Sequence, residues 1–244
     1  MLFFRNNKSQ PPDMSILGAD MHSHLIPGLD DGAKDIVASL DLIKGLMDLG
    51  YKKLITTPHI LWDMYKNTPE TILSGLERLR NAVQLEKMAI EIHAAAEYFL
   101  DDHVNELLNK KEPLLPLSGK MILVEFSMAF PSLSIKNILF DMAMQGYQPV
   151  LAHPERYVYL ENTKSFYDEL KGIGCLFQLN LLSLTGYYGR STTELANYLI
   201  KKGYYDLAGT DLHNIQQLQR LHDSSLTNGM KKLLDSCSII NSQL

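Results

Sequence analysis

Ile16-Leu17-Gly18-Ala19-Asp20-Met21-His22-Ser23-His24 is a short apolar run that ends in two imidazoles one residue apart. The same construction recurs down the chain. Residues 53–57 lead into Thr57-Pro58-His59, 90–95 into Ala96-Glu97, 121–124 into Glu125 and 148–152 into His153. Residues 175–179 lead into Asn180, and 206–209 into Thr210-Asp211-Leu212-His213. Each run has the length of a strand, and a metal-ligand type of side chain follows nearly every one.

Between the runs the apolar period changes to three and four. Ile36, Leu40, Ile43 and Met47 form one such series, and Ile72, Leu76, Leu79 and Val83 another. Segments 135–145, 192–202 and 226–234 read the same way, and Gly50, Gly146 and Gly203 follow helical runs as C-caps do. Strand and helix in alternation imply parallel strands with helical crossovers. Seven strand-like runs suit a closed or nearly closed α/β barrel, with an open doubly wound sheet as the alternative. Residues 1–15 lack periodicity and carry Pro11-Pro12, so they read as a flexible tail ahead of a single domain over 16–244.

The 244 residues are 45% hydrophobic and 21% charged, enough for a substantial core. The 28 acidic residues exceed the 23 basic ones, giving a net charge of −5 and no basic excess for a nucleic-acid backbone. Leu2-Phe3-Phe4 is followed at once by Arg5, too short a run for a signal core or a membrane span. Cys175 and Cys237 form no Cys-x-x-Cys pair, which fits a reducing cytoplasm and excludes a thiolate zinc site.

In a parallel barrel the ends of the strands share one face, where active sites are built. His22, His24, His59, Glu97, Glu125, His153, Asp211 and His213 would converge there, with Asp31 nearby. Residues separated by one point to the same side of an extended strand, so His22 with His24, and Asp211 with His213, each offer two donors. Crowded carboxylates repel one another unless cations neutralise them, and mixed imidazole and carboxylate donors suit zinc, iron or manganese. Nine donors exceed one tetrahedral ion and fit two or three ions sharing bridging carboxylates. His93, His103 and His222 stand outside the pattern and read as structural histidines. Dinucleotide and phosphate-loop motifs, a Gly-x-Ser-x-Gly elbow and His-Glu-x-x-His are all missing. Neither cysteine has an arginine six residues on, so a cysteine phosphatase is excluded as well.

His22-Ser23-His24 through Gly28-Leu29-Asp30-Asp31-Gly32 carries a family resemblance, together with Glu97, Val124-Glu125-Phe126-Ser127-Met128, His153-Pro154-Glu155-Arg156-Tyr157 and Thr210-Asp211-Leu212-His213-Asn214. These segments resemble the polymerase and histidinol phosphatase superfamily. More narrowly, they resemble the bacterial metal-dependent protein-tyrosine phosphatases encoded with capsule and exopolysaccharide tyrosine kinases. The resemblance spans about residues 16–215. It implies a distorted seven-stranded barrel, a site of two to three divalent ions, usually manganese, and a phosphotyrosine protein as substrate, the tail of a partner kinase. It further implies that the nine donors are the metal ligands, with Glu97 bridging, and that Arg156 grips phosphate. The family's second arginine falls where this chain has Leu218, and Arg220 is the nearest candidate.

Such a site would hydrolyse a phosphate monoester with water activated at the metals and charge on the equatorial oxygens met by Arg156. Two other readings share these residues: a phosphatase of small molecules such as histidinol phosphate or a sugar phosphate, and a non-catalytic metal-bound adaptor. Trp62, Tyr65, Tyr98, Phe130, Tyr157, Tyr187 and Tyr188 are candidates for an aromatic rim around a tyrosine ring, or else for ordinary packing.

Overall fold

A computed structural model describes residues 12–130 and 134–244, so most of the expected tail, residues 1–11, lies outside the described residues. Met14 is fully buried and donates its N–H to the Leu49 carbonyl at 2.8 Å, so the packed structure starts ahead of Ile16.

The described strands are β1 (Ala19–Asp20), β2 (Lys53–Thr56), β3 (His59–Ile60), β4 (Glu91–Ala94), β5 (Glu97–Phe99), β6 (Met121–Glu125), β7 (Gln148–Ala152), β8 (Leu176–Asn180) and β9 (Leu207–Gly209). They form a three-stranded sheet, β1-β2-β4, and a six-stranded sheet, β3-β5-β6-β7-β8-β9, with every pairing parallel. Nine described strands stand where seven were expected, because β3 and β5 form just beyond the runs 53–57 and 90–95, as short continuations split off from β2 and β4. Thr57-Pro58 interrupts the ladder between β2 and β3, and Ala95-Ala96 does so between β4 and β5. Proline has no N–H for the ladder, yet the Pro58 carbonyl still accepts from Glu97 N–H at 3.1 Å, so the divided segment keeps its course.

The sheets close on each other into a distorted barrel. Past β9, Asp211 N–H donates to the His22 carbonyl at 2.7 Å and His24 N–H to the Leu212 carbonyl at 2.9 Å. Lower down, side chains stitch this seam. Asp20 accepts from Thr210 N–H at 2.9 Å and from its hydroxyl at 2.7 Å. Asn241, fully buried near the C-terminus, donates to the carbonyls of Ala19 and Ala208 and accepts from Ala208 N–H. Gly209 is required where β9 meets the first segment, since a Cβ there would lie 2.7 Å from His22 Cβ.

The helices are α1 (Ile36–Asp48), α2 (Pro69–Leu85), α3 (Asp102–Lys110), α4 (Ile135–Met144), α5 (Ser165–Ile173), α6 (Arg190–Lys201), α7 (Ile215–Leu221) and α8 (Ser225–Ser236). α2 follows the expected series, burying Ile72, Leu76, Leu79 and Val83, and starts from a Thr68 capping box with Pro69 in its first turn. In α1 the buried stripe is turned from the expected one to Ser39, Leu42, Ile43 and Leu46, with Leu40 and Met47 only partly buried. The helices and outer strand faces share one large apolar core. Met21, Ile55, Leu123, Val150, Ala152 and Leu207 fill a second, smaller core from several strands, with Ile240 and Leu244 packed against it. No described helix is long and apolar enough to cross a membrane.

Candidate metal centre

At the C-terminal ends of these strands the expected residues meet. His22 Nε2 lies 3.1 Å from Glu97 Oε2 and 3.3 Å from Asp211 Oδ1. His24 Nε2 is 3.4 Å from the same two oxygens. His59 Nδ1 stands 3.1 Å from Glu97 and 3.7 Å from Glu125, while its Nε2 faces Asp31 at 3.7 Å. His153 Nε2 is 3.4 Å from Glu97, 3.6 Å from Glu125 and 3.9 Å from Asp211. His213 closes the ring, 3.6 Å from Asp31 and 3.5 Å from Asp211. Three overlapping groups have donor atoms close enough to surround an ion: His24, His59 and His213; His22, His24, Glu97 and Asp211; and His59, Glu97 and Glu125.

The backbone is bent to make this arrangement. His153 and Asp211 have φ of 34° and 51°, left-handed values that non-glycine residues avoid. Gly32 belongs to the same design: a Cβ there would lie 2.3 Å from the His24 carbonyl oxygen.

Two partners that the local pattern did not reveal set the imidazole tautomers. His24 Nδ1 donates to Asp30 at 2.7 Å, and His22 Nδ1 donates to Gln178 Oε1 at 2.9 Å. His213 Nδ1 donates to the Asp211 carbonyl at 2.9 Å. In each case the opposite nitrogen is turned toward the carboxylates, where its lone pair would serve a metal ion. Asp30 also accepts from His59 N–H at 3.0 Å and Gly32 N–H at 3.0 Å.

The chemistry of the donors fits divalent cations. Both Glu97 oxygens and His59 Nδ1 are buried without a hydrogen-bond partner, an arrangement costly for neutral or charged groups alike unless something else binds them. Burial and the Glu97 and Asp211 charges push the Glu125 carboxyl well above its ordinary range. Burial acts the same way on Glu97, but His22 and His59 outweigh it and hold that carboxyl low. Burial, aided by Arg156, lowers His153 to about 4, leaving its imidazole neutral. Burial keeps the His59 and His153 imidazoles from protonating, whereas at His22 and His24 the facing carboxylates outweigh burial and favour the protonated form. Carboxylates that cannot all ionise together, and imidazoles that draw protons in their place, form a site that a cation would complete.

Arg156 stands beside the cluster, its guanidinium 2.8 Å from Asp211 Oδ2 and 4.5 Å above the Tyr188 ring. Glu155 does not take it up; that carboxylate is buried on Ser183, Tyr205 and Asn180 N–H. Asp211 also accepts from Asn180 Nδ2 at 2.9 Å.

Arg220 does not join the cluster. It is exposed on α7 and lines a different depression with Thr185, Gly186, Tyr187 and Asp223. The 3.6-residue period buries Gln217, Leu218 and Leu221 on the inward face and turns Arg220 away. Gln217 reaches the site region instead, accepting from His213 N–H at 2.7 Å.

A cavity of about 240 Å³ opens on the cluster, lined by Asp31, His59, Glu125, His153, Arg156, Asp211 and His213, and by apolar residues from three strand ends. Of the expected aromatic rim only Tyr65 lines it. Tyr98 and Tyr157 are buried and bind backbone N–H groups of Leu115 and Phe126. Trp62 stacks on His103, and Tyr188 serves Arg156. His93 pairs with Glu91 at the surface.

Residues 18–233 match the family model described as capsular polysaccharide synthesis, CpsB/CapC. The chain is 27% identical over 197 residues to tyrosine-protein phosphatase YwqE of Bacillus subtilis (strain 168), covering 81% of this chain and 78% of that protein. It is 29% identical over 202 residues to tyrosine-protein phosphatase CpsB of Streptococcus pneumoniae, covering 80% and 83%. A solved structure from work on YwqE of Bacillus subtilis and CpsB of Streptococcus pneumoniae, described as unique metal-dependent tyrosine phosphatases, superposes with a TM-score of 0.77 at 25% identity. It covers 91% of this chain and 96% of the other. An amidohydrolase from Mycoplasma synoviae, with a TM-score of 0.53 at 13% identity over 94% of this chain and 85% of its own, shares the fold alone.

Proposed function

Because the chain belongs to the CpsB/CapC family of capsular polysaccharide synthesis, we propose that it is a metal-dependent protein-tyrosine phosphatase. Its substrate is phosphotyrosine in a protein, in the first place the tail of a tyrosine kinase of polysaccharide export, and it works in the cytoplasm. The observation that carries this reading is the knot of five imidazoles and four carboxylates, with Asp31 at its exposed edge and the buried Glu97 oxygens and His59 Nδ1 unpaired, set beneath a cavity that Arg156 also lines. We assign His22, His24, Asp31, His59, Glu97, Glu125, His153, Asp211 and His213 as ligands of two to three divalent ions, manganese first, with iron and zinc as alternatives. Glu97 belongs to two of the three donor groups and is the natural bridge.

Bound there, the ions would supply Lewis acidity toward phosphoryl oxygens and a lowered pKa for water. This chain's residues do the remainder. Arg156 is placed to meet charge growing on the equatorial oxygens, and Asp211 aims it. Asp30 and Gln178 hold His24 and His22 in one tautomer through the cycle. A phenolate, with a pKa of about 10, leaves without strong protonation, so a dedicated general acid is dispensable for this substrate.

The test is hydrolysis by metal-stripped protein titrated with manganese, using a phosphotyrosine peptide, a phosphoserine peptide and histidinol phosphate side by side. Manganese-dependent preference for phosphotyrosine is the expected result. Preference for histidinol phosphate, or inactivity with manganese, iron and zinc alike, would overturn the reading.

A further inference from the structure

The cavity over the cluster has a polar floor and an apolar wall. Its Arg156, Asp211, His213 and Asp31 lining comes from the ends of β7 and β9 and from the loop after β1. Its apolar lining comes from three neighbouring strand ends on the other side: Leu61, Met64 and Tyr65 after β3, Phe99 on β5, and Phe126 and Met128 after β6. A phosphoryl group is accounted for by the polar sector. His59 on β3 and Glu125 on β6 join the polar floor, and the apolar side chains beside them have no role in handling charge.

The apolar wall is built and held in place. Leu61 N–H donates to the Tyr65 carbonyl at 3.2 Å, and Tyr65 N–H returns the bond to Leu61 at 2.7 Å, closing a tight loop. Trp62 anchors the loop on the side away from the cavity, its ring stacked on His103 with centroids 3.8 Å apart and its backbone N–H directed at Asp101 Oδ2 at 3.4 Å. Phe126 N–H donates to the Tyr157 hydroxyl at 3.0 Å, and the Tyr159 hydroxyl donates to the Ser127 carbonyl at 3.0 Å, which fixes the facing segment. Met64 at 67% exposure and Met128 at 36% thus stand open at the mouth of the site. Thioethers on fixed backbone are adaptable apolar contacts that favour aromatic rings.

We propose that Met64 and Met128, backed by Leu61, Tyr65, Phe99 and Phe126, are the specificity-determining residues that seat the aryl ring of a phosphate monoester. The inference rests on the function proposed above and names what selects its substrate. The occupant is an aromatic ring because the wall is continuous with the phosphate-facing residues of one cavity, and that cavity is too small for a folded partner to enter.

Binding of phenylphosphonate and methylphosphonate to the manganese-loaded protein separates ring recognition from leaving-group reactivity. Wild type should prefer the phenyl compound by about tenfold or more, the scale of an apolar contact in a pocket. Met64→Ser combined with Met128→Ser should cut that ratio by about tenfold, while Met64→Leu, which keeps the apolar surface, retains it. A ratio that the double variant leaves unmoved would overturn the proposal, as would parallel loss of both compounds. Failure of the wild type to hydrolyse a phosphotyrosine peptide would bring down the parent reading, whereas hydrolysis with an unmoved ratio brings down this inference alone.

Discussion

Arg156 has two fixed partners, Asp211 at 2.8 Å and the Tyr188 ring beneath it, so its guanidinium is oriented before any substrate arrives. Removing one oriented donor from a transition state costs about a hundred- to a thousandfold in turnover. Arg156→Ala should therefore lower kcat on a phosphotyrosine peptide by that range with metal content unchanged, as steady-state kinetics and elemental analysis would record. Asp30 acts differently, because it touches the ligand rather than the reacting group. Burial pushes its carboxyl up, but His24 prevails and holds it well below the ordinary range, so it stays an acceptor for His24 Nδ1–H. Asp30→Asn should weaken metal affinity by about 10- to 100-fold, the usual penalty for an outer partner of a metal-binding histidine. Competition against a chelator measures it, and unchanged affinity would remove Asp30 from that role.

The seam between β1 and β9 is the element on which closure depends. β1 is only Ala19–Asp20 and has no direct ladder with β9, so the buried side chain of Asn241 supplies hydrogen bonds to Ala19 and Ala208 that a strand would otherwise make. Asn241→Ala would leave those buried backbone groups unpaired. It should cost about 2–4 kcal/mol, read as a lowered urea midpoint, since each buried polar group without a partner costs about 1–3 kcal/mol. A loss of stability under about 0.5 kcal/mol, the range of an ordinary surface change, would show that the seam holds without it. At this scale the period of the chain was informative where one face is buried, as in α2, and less so in α1, whose mixed sequence supports two adjacent stripes. α7 escaped notice because its seven residues are two turns, too few for a period to stand out.

As a whole molecule, the protein collects mutually repelling carboxylates at one end of its barrel, and the folded state without cations carries that cost. Chelation should lower the thermal midpoint. With an ion at 100 times its Kd, the linkage is about 2.7 kcal/mol per site. For a chain of this size that corresponds to a shift of roughly 5–10 °C, followed in paired thermal scans with and without chelator. No shift would argue against a cation in the cluster. The alternating runs and the ligand types after them determined, by themselves, the α/β class, the face that bears the site and eight of the nine residues that gather there, all but Asp31, because each signal is local and repeats with the strand-helix unit. Tertiary structure alone decided the rest. It added the short strands β3 and β5 past Thr57-Pro58 and Ala95-Ala96, turned Arg220 outward on α7, took Tyr98 and Tyr157 into the core, and recruited Asp30, Gln178 and Asn241 as hydrogen-bond partners. Most of those outcomes rest on single pairings between residues far apart in the chain. Gln178 meets His22 across 156 positions and Asn241 meets Ala19 across 222, and no local period records such meetings.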